Sequence, residues 1–205
     1  MEDGYGPQMI RIDIAVFDGV DEMDALAPLE VLRAAARVGA DLDVRLVTRE
    51  QQDVVVGLNG LRFLSDDVYS PGADVLLVPG GGWSSRNEAG AWGEVQRGDW
   101  LPLLTAAQGT TRLMAGVCTG TMLAHAGVVG SRRASTHHAA LEDLATTGAT
   151  VVRERVVDDG NLVTSGGVTS GIDLSLWLVE REFSRDLADR IARGMEYQRE
   201  RPLDP

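Results

Sequence analysis

RLMAGVCTGTMLAHAGVVG, residues 112–130, holds the only cysteine of the 205-residue chain, with Gly116 and Gly120 two positions to either side of Cys118. An apolar run ends at Val117 and a helix-forming run begins near Thr119. Gly116-Val117-Cys118-Thr119-Gly120 therefore reads as a G-x-C-x-G elbow between a buried strand and a helix. A nucleophile on such a turn sits in cramped, strained backbone, so its near neighbours must lack large side chains. The amide of Thr119 then points where the sulfur points and can donate to a developing oxyanion. The helix N-terminus is expected to lower the thiol pKa. The alternative is an inert core cysteine, the commoner fate of a lone thiol.

Three other stretches bear on that choice. ADVLLVPGGG (73–82) is a continuous apolar run ending in glycines, the pattern of a buried parallel strand feeding a loop. The Gly81 amide is a candidate second oxyanion donor; the other reading is that Gly80–Gly82 form only a turn. DALAPLEVLRAAARVG is a helix closed by Gly39, and Pro28, best tolerated in a first turn, puts its start near Asp24. Asp24 thus either caps that helix or handles protons at the carboxyl edge of the sheet. His137 and His138 follow RRAS and are candidates for a Cys–His pair. His125, two helical turns beyond Cys118, points elsewhere.

The remaining pattern alternates strand and helix. MIRIDIAVF (9–17) and LDVRLVT (42–48) read as strands, and residues 51–70 as a hairpin or extended crossover with turns at Gly57 and Asn59-Gly60. EVQRGDWLPLLTAAQ is helical but broken at Gly98 and Pro102. TGTMLAHAG and THHAALEDLATTG are short helices. Two β runs flank Asp159-Gly160-Asn161, and two helices close the chain, the second capped by Ser184. The expected fold is α/β: a single domain over 1–205 with a doubly wound, mostly parallel sheet covered on both faces. Residues 1–8 and 199–205 are expected to be flexible ends.

Composition narrows the function classes. At 44% hydrophobic and 24% charged residues the chain reads as globular, with no apolar run able to cross a bilayer, so no membrane partner is expected. MEDGYGPQ lacks a basic region followed by an apolar segment, so a cytoplasmic location is expected. A net charge of −12 repels phosphate and argues against nucleic acid. All 19 basic residues are arginine, which excludes Schiff-base chemistry, pyridoxal phosphate anchoring and a Walker lysine. One cysteine makes neither an internal disulfide nor a thiolate metal site, and no metal or organic cofactor is expected.

DEMDALAPLEV, DVLLVPGGG, GVCTGTMLAHAG, ASTHH and VTSGGVTSGIDLSLWLVE, in that order, resemble the ThiJ/PfpI superfamily across residues 9–198. The resemblance implies a flavodoxin-like, class I glutamine-amidotransferase-like fold and a homodimer acting on a small-molecule substrate. It places Asp24 as the acid that hydrogen-bonds the elbow cysteine, and Gly81 and Thr119 as the oxyanion-hole amides. Protease-like members carry histidine after the cysteine, where this chain has Thr119. With an aspartate acid and a Cys-Thr-Gly elbow, the chain is most similar to the isocyanide hydratase branch. It departs at Ala27, where relatives usually have glycine, and at Trp83, where smaller residues are common. No helix-turn-helix domain accompanies the fold, so a transcription-factor role is not expected. The resemblance implies cysteine-dependent hydration of an isocyanide to an N-substituted formamide through a thioimidate on Cys118, with Asp24 as general acid/base. Trp83, His137 and Thr169 are the expected pocket wall. The alternatives are amidase or peptidase-like hydrolysis, glyoxalase-type hydration of a 2-oxoaldehyde, a redox sensor acting through Cys118 oxidation, and a ligand-binding module with a dead site.

Overall fold

In the computed structural model, which describes residues 9–120 and 122–202, the continuous apolar runs of the sequence become the inner strands of one sheet. The chain runs β1 (Ile10–Ala15), α1 (Glu22–Arg37), β2 (Leu42–Thr48), then the short strands β3 (Val55–Val56), β4 (Arg62–Phe63) and β5 (Asp67–Val68). It continues through β6 (Val75–Val78), α2 (Ala91–Arg97), α3 (Leu101–Ala107), β7 (Leu113–Gly116), α4 (Met122–His125) and β8 (Arg133–Ala134). A 3-10 turn at His138–Ala140 leads into α5 (Leu141–Thr146), β9 (Thr150–Val151), β10 (Val156–Asp158), β11 (Leu162–Ser165), α6 (Ser170–Glu182) and α7 (Arg185–Gly194).

Seven strands form the sheet in the order β10-β11-β7-β6-β1-β2-β5, and only β10–β11 is antiparallel. Every residue of β6, β7 and β11 is buried, as expected of strands covered on both faces. The strand order reverses between β1 and β6, because β2 lies on one side of β1 and β6, β7 and β11 follow on the other. That reversal opens a crevice at the carboxyl ends of β1 and β6. In register, Val78 lies beside Gly116 and Gly116 beside Thr164, so the loops leaving β6, β7 and β11 emerge together at that crevice.

Several expectations meet the structure with a shift. α1 starts at Glu22, because Asp21 is the cap: its Oδ1 accepts from the Met23 amide at 3.0 Å. Pro28 consequently lies in the second turn, where its ring packs against α6: a Cβ at Gly171 would lie 3.3 Å from Pro28 Cγ. The hairpin expected in 51–70 is β3–β4, followed by β5 at the sheet edge. The helix expected from 119 to 127 is Met122–His125 among the described residues; residues 118–120 are turn, and Thr121 lies outside them. Ser184 caps α7 by accepting from the Leu187 amide at 3.2 Å. Of the expected flexible ends, 1–8 and 203–205 lie outside the described residues. Arg199 and Arg201, by contrast, are tied down by ion pairs to Glu180, at 2.6 and 2.5 Å.

The elbow is packed too tightly for another atom. A Cβ on Gly120 would lie 2.4 Å from the Val78 carbonyl oxygen, backbone that cannot yield without moving β6. Gly120→Ala is expected to cost about 1–3 kcal/mol as overpacking, lowering Tm by roughly 2–12 °C. Exposed Gly109, where the nearest atom to an added Cβ is 3.7 Å away, should accept Ala within about 0.5 kcal/mol. Thermal unfolding of the two variants checks the contrast, and equal melting temperatures would contradict this packing.

Candidate active site

The chain leaves β7 and turns at Cys118 with φ 55°, the left-handed region that L residues with side chains rarely adopt. The turn is held by its own backbone: the Cys118 amide donates to the Gly166 carbonyl at 3.0 Å, and the Cys118 carbonyl accepts from the Thr136 hydroxyl at 2.7 Å. Strain of this kind, about 1–3 kcal/mol, persists only where surrounding contacts fix it. An inert core cysteine needs no such backbone. The backbone amides of Val168 and Thr119 both act to lower the thiol pKa. Val168 also has a positive φ, 36°, unusual for a β-branched residue.

Asp24 lies beneath the elbow, fully buried in the first turn of α1. It does not cap the helix, since Asp21 does. Asp24 Oδ2 accepts from the Gly80 amide at 3.1 Å, and the Gly80 carbonyl accepts from the Asp21 amide at 3.0 Å, so α1 grips the Gly80 peptide at both ends. The Asp24 carboxyl and the Cys118 thiol interact as hydrogen-bond partners, while buried Asp24 Oδ1 has no protein partner of standard geometry. Burial, and secondarily the charge of Asp21, push the Asp24 pKa up to about 8. Burial and the negative charge of Asp24 push the thiol upward as well, outweighing the Val168 and Thr119 amides. The expected lowering by a helix N-terminus is therefore overturned. The sulfur is buried, and the ionisable group beside it is a carboxyl.

A cavity of about 210 Å³ opens above the sulfur, lined by Gly81, Trp83, Cys118, Thr119 and His137 of the expected site, together with Asp21, Leu58, Gly82, Ser84, Ser85 and Val168. A larger surface hollow, about 450 Å³ along α7, holds none of these groups. Gly81 does not present its amide to the sulfur: that N–H donates to Thr119 Oγ1 at 2.9 Å. The second amide facing the sulfur comes from Val168 instead. Gly81 is nonetheless required, since at φ 134° a Cβ would lie 2.4 Å from the Gly19 carbonyl oxygen. Thr169 does not line the cavity. It is exposed at the start of α6, and its hydroxyl accepts from Arg155 at 3.0 Å.

Trp83 is buried and donates its indole N–H to Asp143 Oδ2 at 2.6 Å. His125 packs against Trp83 with ring centres 5.7 Å apart and does not line the cavity above the sulfur. His137 accepts from the Ala139 amide through Nδ1 at 3.2 Å, which leaves the ring proton on Nε2 in the neutral form. Burial and the neighbouring His138 push its pKa down. His138 is exposed, stacked on His137 at 4.1 Å. Among the described residues no group of three or more His, Cys, Asp or Glu side chains could hold a metal, and no helix is long and apolar enough to cross a membrane. Sequence reasoning missed Val168, whose positive φ leaves no mark in GGVTSG, and Asp143, which reaches the site from α5.

The profile of the DJ-1/PfpI family matches residues 10–181. Isonitrile hydratase of Pseudomonas putida is 32% identical over 198 residues, 95% of this chain and 82% of that protein. Protein DJ-1 homolog A of Arabidopsis thaliana is 30% identical over 188 residues, 87% of this chain but only 44% of that longer protein. Among solved structures, a ThiJ/PfpI family protein from Pseudomonas syringae superposes with a TM-score of 0.81 at 23% identity, covering 100% of this chain and 84% of that one, a likeness of fold. The chain belongs to the DJ-1/PfpI family.

The raised carboxyl couples folding to pH. Asp24 titrates at its ordinary 3.8 when unfolded and at about 8 when folded, so between these values the folded state holds the extra proton. Its contribution is fully present below pH 3.8 and is lost as pH rises toward 8. Asp24→Asn removes this dependence. From pH 5 to pH 7, wild-type unfolding free energy should fall relative to Asp24→Asn by about 1–3 kcal/mol. Urea unfolding at the two pH values measures it; parallel changes in the two proteins would contradict the raised carboxyl.

Proposed function

We propose that this DJ-1/PfpI family member is a cysteine-dependent hydratase that converts an isonitrile, R–N≡C, to the formamide R–NH–CHO. The observation that carries the reading is the Cys118–Asp24 pair: a strained thiol whose buried partner is a carboxyl titrating near 8, with no histidine between them. An isonitrile carbon must be attacked by a nucleophile and protonated, and one group poised near neutrality serves both needs. In the first step the sulfur attacks the terminal carbon while Asp24 carboxylate takes the thiol proton and delivers it to that carbon, giving the thioimidate R–N=CH–S–Cys118. Water then adds to the carbon, and its proton passes through Asp24 to the nitrogen. The hydroxyl proton of R–NH–CH(OH)–S–Cys118 returns through Asp24 to the departing sulfur, releasing the formamide and the thiol. Water supplies the oxygen and both added hydrogens.

The occupied Gly81 amide weighs against amide or peptide hydrolysis, whose tetrahedral intermediate places a full negative charge on oxygen and gains most from two free donors. Attack on an isonitrile forms no oxyanion in its first step. The raised thiol weighs against a redox sensor, since oxidation of cysteine proceeds from the thiolate. The likeness to Pseudomonas putida isonitrile hydratase supports the same choice.

The test is turnover of alkyl isonitriles, amides and 2-oxoaldehydes by wild type, Cys118→Ser and Asp24→Asn, with formamide quantified. Wild type should release formamide from the isonitriles alone. Cys118→Ser should be inactive, and Asp24→Asn should lose roughly a hundred- to ten-thousand-fold in kcat/KM while staying folded. Asp24→Asn activity within about threefold of wild type would sink the proton-handling role.

A further inference from the structure

We propose that Trp83, with its indole fixed by Asp143, sets the size limit on groups that reach the Cys118 sulfur, so that the substrate carries a compact, unbranched substituent. The proposal deepens the reading above. It rests on Cys118 as the nucleophile at the floor of the cavity, and not on the isonitrile itself.

Four side chains hold each other in a closed ring. The Trp83 indole N–H donates to Asp143 Oδ2 at 2.6 Å. Asp143 pairs with Arg86 at 3.0 Å, and the Arg86 guanidinium lies 4.0 Å from the centre of the Trp92 ring. Trp92 closes the ring by packing edge-on to Trp83, with centres 5.4 Å apart. His125 also packs against the indole, with ring centres 5.7 Å apart.

Trp83 is only 2% exposed, follows the Gly80–Gly82 loop in sequence, and lines the same cavity as Cys118. For the indole to swing aside it must break a hydrogen bond to a carboxylate and an aromatic contact together. Another lining residue, Leu58, is softer, at 38% exposed. A cavity of about 210 Å³ with one immobile aromatic wall admits a slim chain and rejects branching next to the reacting atom. Asp143, on α5, touches no reacting atom and acts through the indole; it is a positioning residue.

The experiment compares Cys118 alkylation by iodoacetamide and by N-cyclohexyl iodoacetamide at one pH, where the thiolate fraction cancels from the rate ratio. Wild type should prefer the small reagent, and Trp83→Ala should reduce that preference by at least about tenfold. Asp143→Ala should reduce it as well. Asp143→Asn, whose amide oxygen still accepts from the indole, should stay within about threefold of wild type. If Trp83→Ala does not fold, Trp83→Phe, smaller and without the N–H, should show a reduced preference. An unchanged ratio on trimming Trp83 overturns the proposal. Equal loss in Asp143→Asn and Asp143→Ala overturns the positioning role. Absence of isonitrile turnover with intact size selection would remove the proposed reaction and leave the wall in place.

Discussion

Two ionisable groups, Cys118 and Asp24, are buried side by side, and the site between them does not tolerate two negative charges. That constraint organises the chemistry and part of the stability. Burial makes both groups harder to ionise; the Asp24 carboxylate holds the thiol proton further, while the thiol, as a hydrogen-bond partner, partly eases the ionisation of Asp24. Near neutrality the pair holds its protons, and the first charge it accepts falls on the carboxylate. The thiol therefore waits as a thiol and is activated by a base in contact with it. A cysteine made reactive by a low pKa of its own would be an exposed target for oxidants, whereas this one depends on its partner at the moment of attack.

The surrounding architecture exists in large part to keep these two groups together. The strand order reverses at β1 and β6, so the loops after them share one crevice. The start of α1 then grips the Gly80 peptide, through Asp21 at the carbonyl and Asp24 at the amide. Gly80 and Gly81 let the backbones approach to distances that no side chain allows. The elbow is set by hydrogen bonds to Gly166 and Thr136, from the two segments that follow β11 and β8. Stability and function are in tension here, as expected of strain and buried charge kept at a site.

The elbow was legible in the sequence because its determinants are local: an apolar run, small residues at fixed spacing, and a helix-forming run. The buried strands at 75–78 and 113–116 were legible for the same reason, and so was the turn at Asp159-Gly160-Asn161. What escaped was set by tertiary contact. In sequence Asp24 is either a cap or a proton handler, and only the packing of α1 against the Gly80 loop decides it: Asp21 takes the cap and Asp24 turns to the Gly80 amide. Sequence cannot show that the Gly81 amide goes to the Thr119 hydroxyl and not to the sulfur. A helix dipole alone makes the thiol acidic; burial and the adjacent carboxyl, both set by tertiary packing, reverse the sign. Val168, one residue before Thr169, lines the cavity, in a turn whose dihedrals no motif encodes.

The most direct test of the coupled pair is the pH dependence of Cys118 alkylation by iodoacetamide in wild type and Asp24→Asn. Removing the carboxylate removes a negative charge beside the sulfur, so the thiol should titrate at least one unit lower. Alkylation at pH 8.5 should then be about tenfold faster in the variant. An unmoved profile, or a thiol that titrates higher in Asp24→Asn, would contradict the claim that the Asp24 carboxylate holds the proton on Cys118.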